Sequence, residues 1–370
     1  MKICFILPTF NPGGAENYLL RFLGYFSDSR HEITVVAKQH QDGILRPRFQ
    51  ALGVRTIHRS AGYFNPARAV EQILFFRREA FDVICDFTGN FAGLNMWLSR
   101  RVGVPRRISL YRRSSHAFRQ SWHKLLYVRL QNRLVFRHAT DILSNSQHAL
   151  DTFFPYCDGG RSDDRFRVIP NGVDAKAFVE AASKKNSREM LGLAQDAFIV
   201  GHVGRFDPAK NHGTMLKVFR SLASRIENAR FVFCGLGTDS SGFRDVVRET
   251  GMEERVLCLG THDDIPSVLT SFDLFYFPSV TEGQPNALIE AMISGLPVIT
   301  SDIPPIREAV PEDMHALLVD PMDAEAAEKV ILALHDDGEL RNSYRCQEWA
   351  IDRYDAAENF KLFADVLLAK

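Results

Sequence analysis

The chain has 370 residues, with 45 Lys+Arg balanced by 45 Asp+Glu for a formal net charge of zero, and 45% of it is hydrophobic. Single domains run to roughly 100–200 residues, so two cores are expected. A neutral chain of ordinary apolar content is neither disordered nor fibrous.

The opening MKICFILPTF carries one lysine and an apolar run that stops at Pro8. A secretory signal needs a basic start, a longer apolar stretch and a small-residue cleavage site. No stretch approaches the ~20 apolar residues that span a bilayer. Cys4, Cys85, Cys234 and Cys258 lie inside apolar runs, without CxxC spacing or a histidine at zinc-ligand distance. Buried reduced thiols explain them better than disulfides, and the expected location is cytoplasmic.

Short apolar, β-branched runs alternate with segments of helical period, the pattern of βαβ units and a parallel sheet. In chain order, strands are expected at residues 2–7, 32–37, 82–86, 107–110 and 141–144, then at 198–203, 230–234, 256–259, 273–277, 297–300 and 316–319. FIVGHV and RFVFCG are apolar almost throughout, as strands covered on both faces are. The turn-rich DGGRSDD (158–164) closes the first series, and VIPNGVD (168–174), broken by Pro170 and Gly172, follows it. The expected fold class is α/β: two doubly wound Rossmann-like domains, residues 1–165 and 166–345, facing each other across a cleft. A C-terminal helix, about 346–370, is expected to pack back on the first. Ligands in such folds bind beyond the carboxyl ends of the strands, where the candidate residues below lie.

After the first strand comes NPGGAENYL (11–19), in which Gly13 and Gly14 let backbone approach a ligand at a helix start. Alone, that pair is better explained by a plain strand-to-helix turn. After 198–203 comes VGRFDPAKNH (203–212), which puts Arg205 and Lys210 on one loop beside Gly204. Two such cations suit a diphosphate, the arginine by bidentate bonds and the lysine as a point charge. The blander alternative is a pair of solvated loop cations. After 273–277 comes TEGQPNALIEAMISGLPVI (281–299), a loop carrying Glu282 and Gly283 and a helix opening at Pro285–Asn286. Free N–H groups and the helix dipole there favour an anion. Glu282 before the helix and Glu290 about a turn into it can reach one site, one for sugar hydroxyls and one for a ribose diol. Spacing alone leaves ordinary helix-terminal acids equally open.

GGAE, VIPNGVD, VGRFDPAKNH, the CGLG loop, DIPSVLTSFDLFYFPS and EGQPNALIEAMISGLPVI occur in that order along the chain. Together they resemble the family 4 retaining glycosyltransferases of the GT-B fold, over nearly the whole chain and most densely in 168–320. The resemblance implies a nucleotide-sugar donor held mainly by the second domain, with the acceptor side in the first. By motif position, Arg205 and Lys210 would bind the donor diphosphate, Glu282 the transferred sugar and Glu290 the ribose. Gly283, Gln284, Pro285, Asn286 and Ala287 would complete the donor loop, and Gly13 and Gly14 would approach the phosphates. Thr261 and His262, with Ile265, would border the nucleobase. Many relatives carry a histidine after the strand matching 107–110. Here YRRSSHAF follows, so Arg112, Arg113 and His116 are the candidates for its place. The implied catalytic set is Arg205, Lys210, Glu282 and either His116 or Arg112.

The implied reaction is transfer of a hexose or N-acetylhexosamine with retention, without a metal or other cofactor and without a firm enzyme nucleophile. The leaving phosphate would accept the acceptor's proton while fixed cations stabilise its charge. The acceptor would be a saccharide or lipid-linked saccharide in polysaccharide or glycolipid assembly. A UDP-sugar is favoured because EGQPNALIEAM resembles UDP-sugar users more than EGFG-type mannosyltransferases. The alternatives are a GT-B-like sugar-nucleotide epimerase or hydrolase and a non-catalytic scaffold. A nicotinamide dehydrogenase is rejected, because the strand at 256–259 ends in Gly260–Thr261 and not in a ribose-binding acid.

Residues 100–138 hold ten arginines, one lysine and no acid. Within them SWHKLLYVRLQNRLVFRH has helical period, with Trp122, Leu126, Leu130 and Leu134 on one stripe. Peripheral contact with an anionic membrane or a diphosphate-linked lipid, and a core helix with a solvated basic face, are both open readings. Nucleic acid is not expected, since no stacking aromatics or nucleic-acid module accompany the charge.

Overall fold

A computed structural model describes residues 1–26, 30–39, 42–62, 65–114 and 121–369. The chain forms two compact units, Met1–Gly172 with Ala356–Lys370, and Val173–Asp355.

The first unit is built on β1 (Lys2–Leu7), β2 (Glu32–Ala37), β3 (Arg55–His58), β4 (Val83–Asp86), β5 (Arg106–Tyr111), β6 (Asp141–Ser144) and β7 (Phe166–Val168). They form one parallel sheet in the order β3-β2-β1-β4-β5-β6-β7. Alternation along β1 shows how it is covered on both faces. Ile3, Phe5 and Leu7 join one core with Phe22, Phe360 and Phe363, while Cys4 and Ile6 join the other with Phe76, Met96 and Val135.

The second unit is built on β8 (Phe198–Val203), β9 (Ala229–Cys234), β10 (Val256–Gly260), β11 (Leu274–Phe277) and β12 (Val298–Thr300), in the parallel order β10-β9-β8-β11-β12. Its two cores divide in the same way: Ile199 and Val203 face one side of β8, Phe198 and Val200 the other.

Four features depart from the sequence expectation. β3 is an added edge strand, whose RTIH carries only partial burial and little apolar pattern. β7 pairs with β6, so the first unit runs on to Gly172 and the second starts at Val173, not between 165 and 166. Residues 316–319 form no strand: a 3₁₀ turn at Glu312–Leu317 leads to a single bridge between Ser301 and Val319.

The C-terminal segment is two helices, Gln347–Arg353 and Ala356–Leu368, belonging to different units. Tyr354 divides them. Its ring is fully buried in the second unit, its hydroxyl donates to Ala309 O at 3.0 Å, and its carbonyl accepts from Val173 N–H at 2.8 Å. Beyond it, Phe360 and Phe363 pack edge-on against Tyr18 and Phe22 of the first unit. All six cysteines are free, and burial raises the thiol pKa of Cys4, Cys85 and Cys234. Among the described residues no helix is long and apolar enough to cross a membrane.

Candidate active site

In the second sheet the chain leaves β8 towards β9 and β10, and leaves β11 towards β12. The carboxyl ends of β8 and β11 therefore flank the topological switch point, where doubly wound sheets bind ligands. The two richest motifs meet there. The β8 loop turns through a 3₁₀ segment, Pro208–Lys210, whose start is capped by Asp207 accepting from Ala209 N–H at 2.9 Å. Ala209 O in turn accepts from Val280 N–H at 2.9 Å, which stitches this loop to the one after β11.

Across that seam Lys210 Nζ donates to Glu282 Oε1 at 2.5 Å and lies 4.7 Å from the centre of the Phe277 ring. The two side chains are 17% and 10% exposed, so the pair is enclosed yet reachable. Arg205 projects from the same loop, exposed, and makes no ion pair among the described residues. Such a cation is open to solvent, while Lys210 is held in place by a carboxylate. Gly204 N–H donates to Cys234 O at 2.8 Å. Gly235, at φ +141°, faces back so closely that a Cβ would stand 2.3 Å from Gly204 O. The CGLG loop is thus packed against the β8 loop.

The helix Asn286–Ile293 opens just beyond Pro285, with Leu288, Ile289, Ala291, Met292 and Ile293 buried beneath it. Gly283, Gln284, Asn286 and Ala287 are partly exposed at its start. Glu290 is 7% exposed on this otherwise apolar helix. A carboxylate kept at such depth calls for polar or charged partners. The β10 loop lies two strands away from β8, about 10 Å at the usual strand spacing. There Thr261 is exposed and His262 Nδ1 accepts from Asp264 N–H at 3.2 Å. Asp264 caps the helix Ile265–Thr270 by accepting from Ser267 N–H at 3.1 Å.

In the first unit the chain reverses between β1 and β4, and the glycine pair follows β1. The helix Gly14–Tyr25 starts after an extended Gly13, and Glu16 folds back over that start. A Cβ on Gly13 would stand 2.4 Å from Glu16 Oε2, whereas Gly14 has open space. Burial raises the Glu16 pKa, opposed by its own backbone hydrogen bond and by Arg113 and Arg112. Arg112, directly after β5, donates to Asn171 Oδ1 at 2.5 Å and stacks 4.0 Å above the Tyr18 ring. Burial lowers its pKa to about 10. Its contacts are braces between β5, the first helix and the VIPNGVD segment. Arg113 is exposed, and His116 lies outside the described residues.

Two family models match the chain: a glycosyl transferase 4-like domain over residues 13–172 and the glycosyl transferases group 1 over residues 183–347. The chain belongs to the family 4 glycosyltransferases. It is 28% identical to EpsF of Bacillus subtilis (strain 168), itself assigned as a glycosyltransferase, over 81% of this chain and 79% of that one. It is 23% identical to the UDP-Gal:α-D-GlcNAc-diphosphoundecaprenol α-1,3-galactosyltransferase of Escherichia coli, over 96% and 93% of the two chains. The structure of Anabaena Alr3699/HepE in complex with UDP and glucose superposes with a TM-score of 0.82 at 22% identity, covering 100% of both chains. That likeness establishes the GT-B fold.

Sequence reading of this glycosyltransferase missed a buried histidine pair beneath Lys210. His202, fully buried on β8, donates from Nδ1 to Tyr276 O at 3.0 Å, and its Nε2 has no hydrogen-bond partner among the described residues. Its ring stands 5.3 Å from that of His212, which packs among Phe206, Phe233 and Phe243. Burial drives His202 well below its ordinary pKa and takes His212 from 6.5 to about 4.

Between those two values the unfolded chain binds a proton at His212 that the folded glycosyltransferase does not, so stability rises with pH across that window. The expected result is a thermal midpoint that falls as pH drops from 6.5 towards 4, less steeply in His212→Phe. Equal slopes in calorimetric scans of the two proteins would show that His212 protonates freely in the fold.

Proposed function

We propose that this glycosyltransferase moves a hexose or N-acetylhexosamine from a UDP-sugar, with retention of configuration, onto a saccharide or lipid-linked saccharide acceptor in polysaccharide or glycolipid assembly. The observation that carries the reading is the enclosed Lys210–Glu282 pair at the switch point, with Arg205 exposed on the same loop. Charge develops on the leaving diphosphate as the glycosidic bond breaks, and preorganised cations stabilise that charge most where water is scarce. Arg205 and Lys210 supply that role without a metal ion. Lys210 shifts from Glu282 towards the phosphate, which releases the carboxylate for the sugar hydroxyls. The leaving phosphate takes the acceptor's proton, so no enzyme base is needed. Support for a lipid-linked acceptor comes from the Escherichia coli relative, named for a diphosphoundecaprenol substrate. The buried free thiols favour a cytoplasmic site of action.

The testing experiment is a thermal-shift screen against UDP, GDP, ADP and their sugars, because a ligand that binds only the folded state raises its stability. At a hundredfold excess over Kd the gain is about 2.7 kcal/mol. UDP and a UDP-sugar are expected to raise the midpoint by several degrees. A shift with GDP and none with UDP would overturn the donor assignment. The anomeric proton coupling of the first-formed product decides retention.

A further inference from the structure

The helix Trp122–His138 turns Val128, Gln131, Asn132 and Val135 into the first unit. On the opposite side Trp122, Leu126 and Leu130 are 78%, 60% and 54% exposed. At 3.6 residues per turn those three share an arc of about 100° with Arg129, Arg133 and Arg137. Three apolar side chains therefore stand in solvent along the first turns, and arginines continue the same face to the helix end.

That end opens on a cavity of about 620 Å³ lined by Trp97, Arg100, Arg101, Leu134, Arg137 and His138. None of the six is acidic. Arg101 stacks 4.9 Å over the Trp97 ring, and Arg100 Nη1 donates to Arg137 O at 3.1 Å. The guanidinium groups are held by an aromatic face and a backbone carbonyl, with no carboxylate in the lining. An isolated apolar stripe would leave its occupant open. Here the same face carries basic groups alone, in a sequence stretch with no acid from residue 100 to 138 of a chain that is neutral overall.

We propose that this face docks the protein on an anionic bilayer, with Trp122, Leu126 and Leu130 entering the headgroup boundary and a lipid phosphate seated among Arg100, Arg101 and Arg137. The chemistry fits a surface that is apolar below and negatively charged above, because indole and leucine side chains settle at that boundary while guanidinium forks pair with phosphate. Each well-placed basic residue strengthens attachment about fivefold. The attraction weakens with salt, since the screening length falls from about 10 Å at 0.1 M to about 3 Å at 1 M. The inference concerns attachment alone and does not depend on the donor assignment.

The test is co-sedimentation of the full chain with vesicles of phosphatidylcholine, with and without phosphatidylglycerol. Wild type is expected to pellet only with the anionic vesicles and to be released at about 1 M salt. The triple variant R100Q/R101Q/R137Q should lose roughly a hundredfold in vesicle affinity, while R220Q/R225Q/R248Q, with the same charge change on the second unit, should retain it. W122S/L126S should weaken binding even though its charge is unchanged. Thermal unfolding and far-ultraviolet circular dichroism report that each variant is folded. Four results would overturn the proposal: no pelleting of wild type, equal loss in the second-unit control, binding of inorganic phosphate in the cavity without vesicle retention, or burial of Trp122 in a dimer.

Discussion

Replacing Lys210 with alanine is expected to lower turnover by a factor on the order of ten to a thousand while the fold survives, because one charge-stabilising donor at a leaving group contributes a few kcal/mol in the transition state. The arrangement of Lys210 sharpens the expectation. Its ammonium is paired with Glu282 at 2.5 Å in an enclosed seam, so its removal also leaves a carboxylate without its cation at the proposed diphosphate site. Lys210→Ala should therefore be more damaging than Arg205→Ala, whose exposed side chain leaves no partner behind, although that variant too should fall within the same range. Glu282→Gln should impair sugar transfer more than nucleotide binding. Adding it to Lys210→Ala should cost less than the product of the two single losses, since neighbouring groups in one network are not additive. Steady-state kinetics on the four purified variants decides this. Wild-type turnover in both single cation variants would show a merely solvated loop.

The second large effect is expected at Glu290. A charge-assisted hydrogen bond to a ribose diol contributes about 1.5–3 kcal/mol, so Glu290→Gln should weaken UDP binding roughly 10- to 150-fold. The proposed contact would be made with free nucleotide as well as in the transition state, so the loss should appear in binding and not only in kcat. Glutamine keeps the shape of a side chain that is 7% exposed on a packed helix, which limits the structural cost. Calorimetric titration with UDP gives the answer directly. An unchanged affinity would return Glu290 to the status of a buried structural acid.

The sequence by itself determined the architecture and the strand ends at which the motif loops stand. Parallel strands buried on both faces are written as near-continuous apolar runs, which is why β1, β2, β6 and β8 were legible to the residue. The motif loops follow their strands directly, so the pattern places Arg205, Lys210 and Glu282 on strand-end loops and Glu290 about a turn into the helix beyond. Only the tertiary structure decided the rest. β3 is a short, half-exposed edge strand whose RTIH holds its place by pairing with β2, and local pattern carries no trace of that. The division of the C-terminal segment at Tyr354 depends on a hydroxyl bond to Ala309, 45 residues away in the chain. His202 reads as one polar interruption in an apolar strand, and its partner His212 reaches it only because the β8 loop doubles back. Arg112 is one of three candidates for the histidine position that the family resemblance implies, and its stacking on Tyr18 and its bond to Asn171 join residues far apart in sequence. Periodicity placed Trp122, Leu126 and Leu130 on one stripe, but a stripe can face either way. What turns it outward is the burial of Val128, Gln131, Asn132 and Val135 on the other side of the helix, a choice made by packing and not by period.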